Sequence, residues 1–528
     1  MRKQSLLEGT LVLTAAGLMA RGLGAVYRIV LPRLVGAEVI GLFQMAFPIY
    51  NLFLLISISG LPLAVSRLVA EEVALGHGRT AQRILRVALC TLAVTGLLTT
   101  MALTRGAEWL ARAVLGDPGA AGVIRAVAPS VFFLALISGW RGLFQGLHYM
   151  VPSGLSQVAE QVVRVAGTLV LARALRPQGV EAAAAGAAFG AVLGSLVGLA
   201  VLLSFGFRFR RAVAERFALT RGNQCPSSGE ILRRIYRLAA PVVVGALIIP
   251  LTQALDAALV PRRLLEAGYT VDLARALYGQ LAGMAMVLVY FPSSVLMGLS
   301  VAIVPVLAEA VARRRVELVW QRIQESLWLS IAIGLPSAVG LWLLAEPICA
   351  LLFADPGAAV PLRAMAPAAL LILLHGTSCG ILQGAGHAGV PVRYLGWGAA
   401  LKVTATYLLT AYPPLALKGA ACATVLSFAV AAGGNLLAVC RLTGYGFNWG
   451  FLVLRPALAT ALMALTARSV YRGLVAAGHY FLAEPLPAVA TLGSIAAAAA
   501  VYTLAVLLLY PKDLPLRPTN NRANTRSG

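Results

Sequence analysis

The sequence predicts an all-α polytopic membrane protein of about 14 transmembrane helices. They form two six-helix lobes related by a pseudo-two-fold axis along the membrane normal, followed by two C-terminal helices. Three observations lead there. Of 528 residues, 59% are hydrophobic and only 12% are charged, with a mean hydropathy of +0.84, whereas a soluble domain carries about 25% charged residues. Apolar runs of about 20 residues recur from end to end, each long enough to cross the ~30 Å hydrocarbon core as a helix. A 40-residue stretch also recurs at a fixed offset. Soluble enzymes, DNA-binding proteins and disulfide-stapled secreted domains are excluded.

Taken in order, the expected spans lie near residues 9–32, 41–64, 84–104, 122–146, 154–175, 182–205, 238–260, 278–304, 325–345, 361–384, 392–412, 417–440, 451–475 and 488–510. The basic start, Met1-Arg2-Lys3-Gln4, precedes an apolar stretch too long and too interrupted for a cleaved signal, so it reads as the first span. Residues 1–205 then form an N-lobe and 238–440 a C-lobe. Between them, 206–237 is an arginine-rich polar stretch containing Asn223-Gln224-Cys225-Pro226-Ser227-Ser228-Gly229, a loop composition that reads as a cytoplasmic linker. Residues 441–510 hold the last two spans, and 511–528 read as a disordered cytoplasmic tail.

The net charge of +23 has a plain source in such a chain, because cytoplasmic loops retain Lys and Arg. With both termini cytoplasmic, the 206–237 cluster and Arg313-Arg314-Arg315 fall inside, so no nucleic-acid partner is implied. Cys90, Cys349, Cys379, Cys422 and Cys440 stand in apolar surroundings, Cys225 is alone in a polar loop, and no CxxC occurs. They read as small apolar residues rather than metal ligands or bridges.

Residues 107–146 align with 345–384 without a gap at an offset of 238, with 15 identities in 40 positions. Asp117-Pro118-Gly119 matches Asp355-Pro356-Gly357, Ala128-Pro129 matches Ala366-Pro367, and Gly142, Gln145 and Gly146 match Gly380, Gln383 and Gly384. The same offset carries Arg164 onto Lys402. The copies fall on the fourth and tenth spans, six places apart, so both face the same way, as in transporters built from two parallel lobes.

An ionisable group inside a span costs about 2.5–3.5 kcal/mol on insertion scales, so each requires a reason. Arg21 and Arg28, seven apart in the first span, share a face two turns apart. Arginine offers a fixed fork of donors to phosphate oxygens, which makes the pair a candidate anion site; the alternative for Arg28 is to snorkel to the interface. Glu160 and Arg164, one turn apart, read as a mutually neutralising pair or as part of a coupling site. Lys402 lacks an equivalent acid, since Gly398 replaces Glu160 in the second copy. Asp256 can take a coupling cation or proton, or pair with an arginine of the other lobe. Four interior cations (Arg21, Arg28, Arg164, Lys402) against two anions suit an anionic substrate. Gly22, Gly24, Pro48, Pro62, Pro292 and Pro305 are expected hinge positions, where helices lose stiffness or a backbone hydrogen bond. P-loop, HExxH and GxSxG motifs do not occur, so the chain is not expected to be an enzyme or to use ATP.

The stretches Lys3-Gln4-Ser5, Gly9-Thr10-Leu11, Ala20-Arg21-Gly22-Leu23-Gly24, Tyr27-Arg28-Ile29, Val35-Gly36-Ala37-Glu38, Ala46-Phe47-Pro48-Ile49-Tyr50 and Ser59-Gly60-Leu61-Pro62 form a pattern. With Tyr278-Gly279-Gln280-Leu281 and Val304-Pro305, it resembles the stage V sporulation protein B family, in the polysaccharide-export branch of the superfamily that also holds multidrug antiporters and lipid II flippases. The resemblance implies a V-shaped pair of six-helix lobes, as in those antiporters. It also implies flipping of an undecaprenyl-linked peptidoglycan precursor for the spore cortex. In lipid II flippases a basic pair in the first helix is held to engage the pyrophosphate. Arg21 matches the first of that pair, and Arg28 matches the second after a one-residue shift. The arginine and acids of their eighth span are missing from Tyr278-Gly279-Gln280.

The leading expectation is therefore a flippase of a polyprenyl-pyrophosphate-linked saccharide in the cytoplasmic membrane, working by alternating access. It uses no cofactor, draws on membrane potential, Na+ or H+, and hands its product to a glycan polymerase. A cation-coupled multidrug exporter and a membrane-embedded glycan polymerase are the competing readings.

Overall fold

Every regular element in the computed structural model is a helix, among the residues it describes: 6–58, 60–218, 226–481 and 487–509. Bilayer interiors provide no water to backbone amides, and a helix satisfies them within its own segment. The first ten helices are α1 (Leu6–Val35), α2 (Ala37–Ile58), α3 (Leu61–Ala74), α4 (Gly78–Trp109), α5 (Ala120–Val127), α6 (Pro129–Gly146), α7 (Met150–Leu175), α8 (Val180–Ala218), α9 (Ser228–Glu266) and α10 (Val271–Tyr278). There follow α11 (Met286–Ala312), α12 (Val316–Leu343), α13 (Ala345–Phe353), α14 (Ala359–Gly384), α15 (Gly389–Thr410), α16 (Ala416–Thr443), α17 (Arg455–Phe481) and α18 (Pro487–Leu509). Among the described residues, ten helical segments are long and apolar enough to cross a membrane. The long helices outside that set, α1, α7, α9 and α15, are the ones that carry Arg21, Glu160, Asp256 and Lys402.

By their contacts the residues divide into one unit of Met1–Leu265 with Tyr269–Gly279, and a second of Glu266–Gly268 with Gln280–Gly528. That division falls after Gly279 rather than at the 206–237 stretch. Helix covers both flanks of that stretch: α8 runs to Ala218 and α9 starts at Ser228. Ile231 and Ile235, one turn apart on α9, are buried in a first-unit core with Leu61, Val65, Ala81, Ile84 and Leu92. Residues 219–225 and 510–528, which hold part of the expected linker and the whole expected tail, lie outside the described residues.

The core of the second unit gathers Leu307, Ile323, Leu327, Ile381, Leu382 and Val439 with Tyr445 and Phe451. Met463, Ala467 and Ala498 of the last two helices form a separate cluster with Leu344, and Tyr502 donates its hydroxyl to the Ala332 carbonyl at 2.6 Å.

The 238-residue offset reappears in the contacts. A Cβ on Gly142 would lie 2.8 Å from the Pro62 carbonyl and one on Gly146 2.6 Å from that of Ser66; Gly380 and Gly384 stand the same way against Ser300 and Val304, at 2.5 and 2.9 Å. Each contacted residue is again 238 from its counterpart. Asp117 and Asp355 each accept the amide of the glycine two residues on, both at 2.9 Å, and Glu108–Arg125 is repeated as Glu346–Arg363. The repeat is therefore one of chain geometry and not of composition alone.

Two expected details change. Pro62 sits in the first turn of α3 behind Gly60, whose φ is 66°, so it opens a new helix rather than kinking one; proline lacks only an amide that a first turn leaves unbonded anyway. Pro48, Pro292 and Pro305 do lie inside α2 and α11. Cys90 is exposed and Cys379, Cys422 and Cys440 are half-buried, leaving Cys349 as the buried thiol among the described cysteines. A π-helical turn covers Gly279–Ala285, where the chain passes from one unit to the other.

Candidate anion-binding site

Four helices of the first unit, α1, α2, α6 and α7, bring basic and phenolic side chains together. On α7, Glu160 is buried at 8% exposure. Its Oε2 accepts from Nη2 of Arg141 on α6 at 2.9 Å, while Arg164 approaches Oε1 at 3.8 Å. Arg141 also donates to Ser156 at 3.0 Å, and Ser156 donates to the Gly198 carbonyl at 3.1 Å. Glycines on α8 let α7 come this close. A Cβ on Gly194 would meet the Glu160 carbonyl at 2.6 Å, and one on Gly198 would meet the Glu160 Cβ at 3.1 Å.

The expected mutual neutralisation of Glu160 and Arg164 is thus revised. Glu160 gives its better bond to Arg141, and one carboxylate faces two guanidinium groups. Arg141 lies within the apolar run of residues 122–146, so the rule that singled out the other intramembrane charges applies to it as well. Tyr50 on α2, only 2% exposed, stands beside Arg164 and Ser130, yet its hydroxyl forms no well-aligned hydrogen bond, and neither does Nε of Arg141 or of Arg164. Tyr27 on α1 interacts electrostatically with Arg164 as well.

On α1, Arg21 and Arg28 are both exposed, with Gly22 exposed and Gly24 half-buried. Neither arginine enters an ion pair among the described residues. Gly24 is packed toward α7, where a Cβ would stand 3.3 Å from Nε2 of Gln161. Asp256 on α9 is buried at 9% and acts electrostatically on the buried Tyr278. Both belong to the first unit, although the sequence placed Asp256 at the start of the second lobe.

In the second unit Lys402 is buried at 6% on α15. The counterpart of Arg141 at the repeat offset is Cys379, and a neutral cluster surrounds it. Its Sγ lies 3.5 Å from Nε2 of His375, and Asn435 Nδ2 lies 3.2 Å from Nδ1 of that ring. At the repeat offset, then, Cys379 and Gly398 stand where the first unit has Arg141 and Glu160. Among the described residues no cluster of three His, Cys, Asp or Glu could hold a metal ion.

Two guanidiniums against one carboxylate leave the cluster with a net positive charge, and arginine forks match phosphate oxygens bidentately. The sequence profile of the family described as polysaccharide biosynthesis protein matches residues 6–311, and that of the MatE family matches 280–408. Stage V sporulation protein B of Bacillus subtilis (strain 168) is 30% identical over 522 residues, 97% of each chain. Lipid II flippase MurJ of the same organism is 27% identical over 482 residues, 88% of each. Two solved structures share the fold at a TM-score of 0.67. One is an inward-facing multidrug resistance MATE family transporter of the MOP superfamily, 18% identical, covering 81% of this chain and 94% of its own. The other is a lipid II flippase MurJ in an inward closed conformation, 13% identical, covering 95% and 99%. With ten helical segments among the described residues long and apolar enough to cross a membrane, and a relative 30% identical over 97% of each chain, the chain belongs to the polysaccharide biosynthesis protein family and is a multi-pass membrane transporter rather than an enzyme.

Proposed function

We propose that this transporter flips a polyprenyl-pyrophosphate-linked saccharide, a lipid II-like peptidoglycan precursor, across the cytoplasmic membrane by alternating access. The excess of cations in the first unit carries the reading: Arg21 and Arg28 share one face of α1, and Arg141 and Arg164 face a single carboxylate. A pyrophosphate diester bears two negative charges and needs such donors, while its polyprenyl tail stays in lipid. Similarity to stage V sporulation protein B and to lipid II flippase MurJ supports a cell-wall precursor, with the spore cortex as its destination.

In this reading Arg21, Arg28, Arg164 and Lys402 serve the phosphate groups, Glu160 and Asp256 serve coupling, and the glycines and prolines of α1, α2, α3 and α11 let helices bend. Both termini are cytoplasmic, coupling is to membrane potential, Na+ or H+, and a glycan polymerase consumes the product. Reconstitution into vesicles with labelled lipid II tests it: protection of the label from an external quencher should change with time only when the protein is present. The MatE match over 280–408 favours one alternative, a cation-coupled multidrug exporter. Raised resistance to cationic dyes on expression, without lipid II flipping, selects that alternative.

A further inference from the structure

We infer that the first turns of α4 hold an anionic glycerophospholipid of the cytoplasmic leaflet, its phosphate on Arg79, Arg83 and Arg86 and its acyl chains along the apolar residues that follow. The inference goes beyond the proposed function and needs nothing from the identity of the transported substrate. At about 100° per residue, Arg79, Arg83, Arg86, Cys90, Val94 and Met101 fall within a sector of about 80° on α4. Ala81, Ala88, Leu92 and Gly96 mark the buried face on the other side. The stripe is open. Arg79 and Arg86 are exposed and Arg83 is half-buried, Cys90 is exposed, and Val94 and Met101 keep 57% and 44% of their surface. From Cys90 to Met101 the helix climbs about 16 Å, the depth of one leaflet.

Charge selects the occupant. At this end of the unit Glu71 is held by Arg67, Glu72 by His77 and Arg234, and Glu230 by Arg234. None of the three arginines enters an ion pair among the described residues. Ile231 and Ile235 bury the start of α9 in one core with Ala81, Ile84 and Ala88 of α4. That start adds Arg233 and Arg237, both exposed and likewise in no ion pair among the described residues. At the far end of α4, Glu108 holds Arg112 and Arg125, which leaves Arg105 as a single unmatched cation there among the described residues. The positive-inside rule puts the more basic end in the cytoplasm. Arginine forks bind phosphate oxygens, and basic residues beside a span attract anionic headgroups.

The repeat supplies a control. At the 238 offset, Arg79, Arg83 and Arg86 become Glu317, Gln321 and Gln324, and Val94 and Met101 become Ala332 and Val339. On α12 that face is covered by protein. Ala332 is 7% exposed and its carbonyl accepts from Tyr502 of α18, while Val339 packs in the cluster of Met463 and Ala467 from α17. The face without arginines takes two helices; the face with three is left to lipid.

The lipid is read at Cys90, one turn beyond Arg86. A full-length chain keeping Cys90, with the other five cysteines replaced by alanine, is labelled there with bimane maleimide and reconstituted into phosphatidylcholine vesicles. Phosphatidylglycerol with brominated acyl chains, or phosphatidylcholine brominated the same way, is mixed in. Quenching then gives the relative binding constant of the two lipids beside the probe. Phosphatidylglycerol should be preferred about tenfold at about 0.1 M salt. The preference should vanish at about 1 M, where the screening length falls to about 3 Å.

The variant carrying Arg79→Gln, Arg83→Gln and Arg86→Gln should show no preference at the lower salt. Arg314→Gln with Arg315→Gln, which removes exposed arginines ahead of α12, should keep it. Glycerol 3-phosphate in solution should not displace the lipid, because the acyl contact belongs to the site. Equal quenching by the two lipids in the parent protein, a preference that survives the triple variant, or one lost as fully in the Arg314 and Arg315 control overturns the inference. So does displacement by glycerol 3-phosphate, or a probe that no brominated lipid reaches, the sign of a second copy over this face. If the cysteine-replaced chain does not fold, native mass spectrometry of unlabelled wild type and triple variant counts the phosphatidylglycerol retained, and equal counts overturn it as well.

Discussion

Gly41 and Gly279 pack reciprocally across α2 and the end of α10. A Cβ on Gly41 would stand 1.8 Å from the Arg275 carbonyl, and one on Gly279 would stand 2.2 Å from the Ala37 carbonyl. Residues 37 and 275, like 41 and 279, are 238 apart, so repeat-related backbones meet about a local two-fold axis. Backbone atoms on both sides leave nothing flexible to yield. Gly41→Ala and Gly279→Ala should each destabilise by about 3 kcal/mol or more, beyond ordinary overpacking. Gly22→Ala, where a Cβ meets nothing within 4 Å, should be neutral or stabilising by about 0.5–1 kcal/mol. Thermal unfolding in detergent checks all three.

Asp117 holds Arg275 through two bonds of 2.5 and 2.6 Å, and its repeat mate Asp355 holds the neutral amide of Gln280 at 3.0 and 3.1 Å. Removing a buried carboxylate from a cation costs more than removing it from an amide. Asp117→Ala should cost about 3 kcal/mol and Asp355→Ala about 1 kcal/mol. Melting curves of the two variants should differ accordingly, and equal losses would contradict the assignment.

Cys349, in the α13 segment between membrane spans, is buried, and burial with the nearby Asp355 pushes its thiol up to about 12. A raised thiol stays protonated and unreactive near neutrality, because the thiolate is the nucleophile. A single-cysteine protein retaining Cys349 should resist maleimide at neutral pH until it is unfolded, as mass spectrometry would register.

Arg21→Ala should abolish lipid II flipping in vesicles while leaving the melting temperature within a degree or so of wild type, since an exposed side chain contributes little to stability. Arg28→Ala should reduce flipping less. Full transport by the Arg21 variant would remove α1 from the binding site.

Much of this fold was legible because the bilayer restricts backbone choices. Apolar runs became helices, and the Asp-Pro-Gly, Ala-Pro and Gln-Gly landmarks located a repeat whose contacts recur at the same offset. The Glu160–Arg164 spacing pointed to a real cluster, because one helical turn fixes neighbours. Arg141 lies 19 residues from Glu160, and Arg275 158 from Asp117; tertiary packing, not local periodicity, joins them. Pro62 misled because a proline at a helix start and one at a kink look alike in sequence, and only the left-handed Gly60 distinguishes them.

Where the first copy has Glu160, the second has Gly398, and a Cβ there would lie 2.5 Å from the Ser427 carbonyl. No acidic side chain fits that spot until α16 retreats. At this position, then, the two copies differ in a way that a single substitution cannot reverse: one carries an ionic side chain, and in the other main chain fills the space. A glutamate placed at 398 alone would run into the backbone of α16, so the difference between the two copies is held in shape as well as in charge.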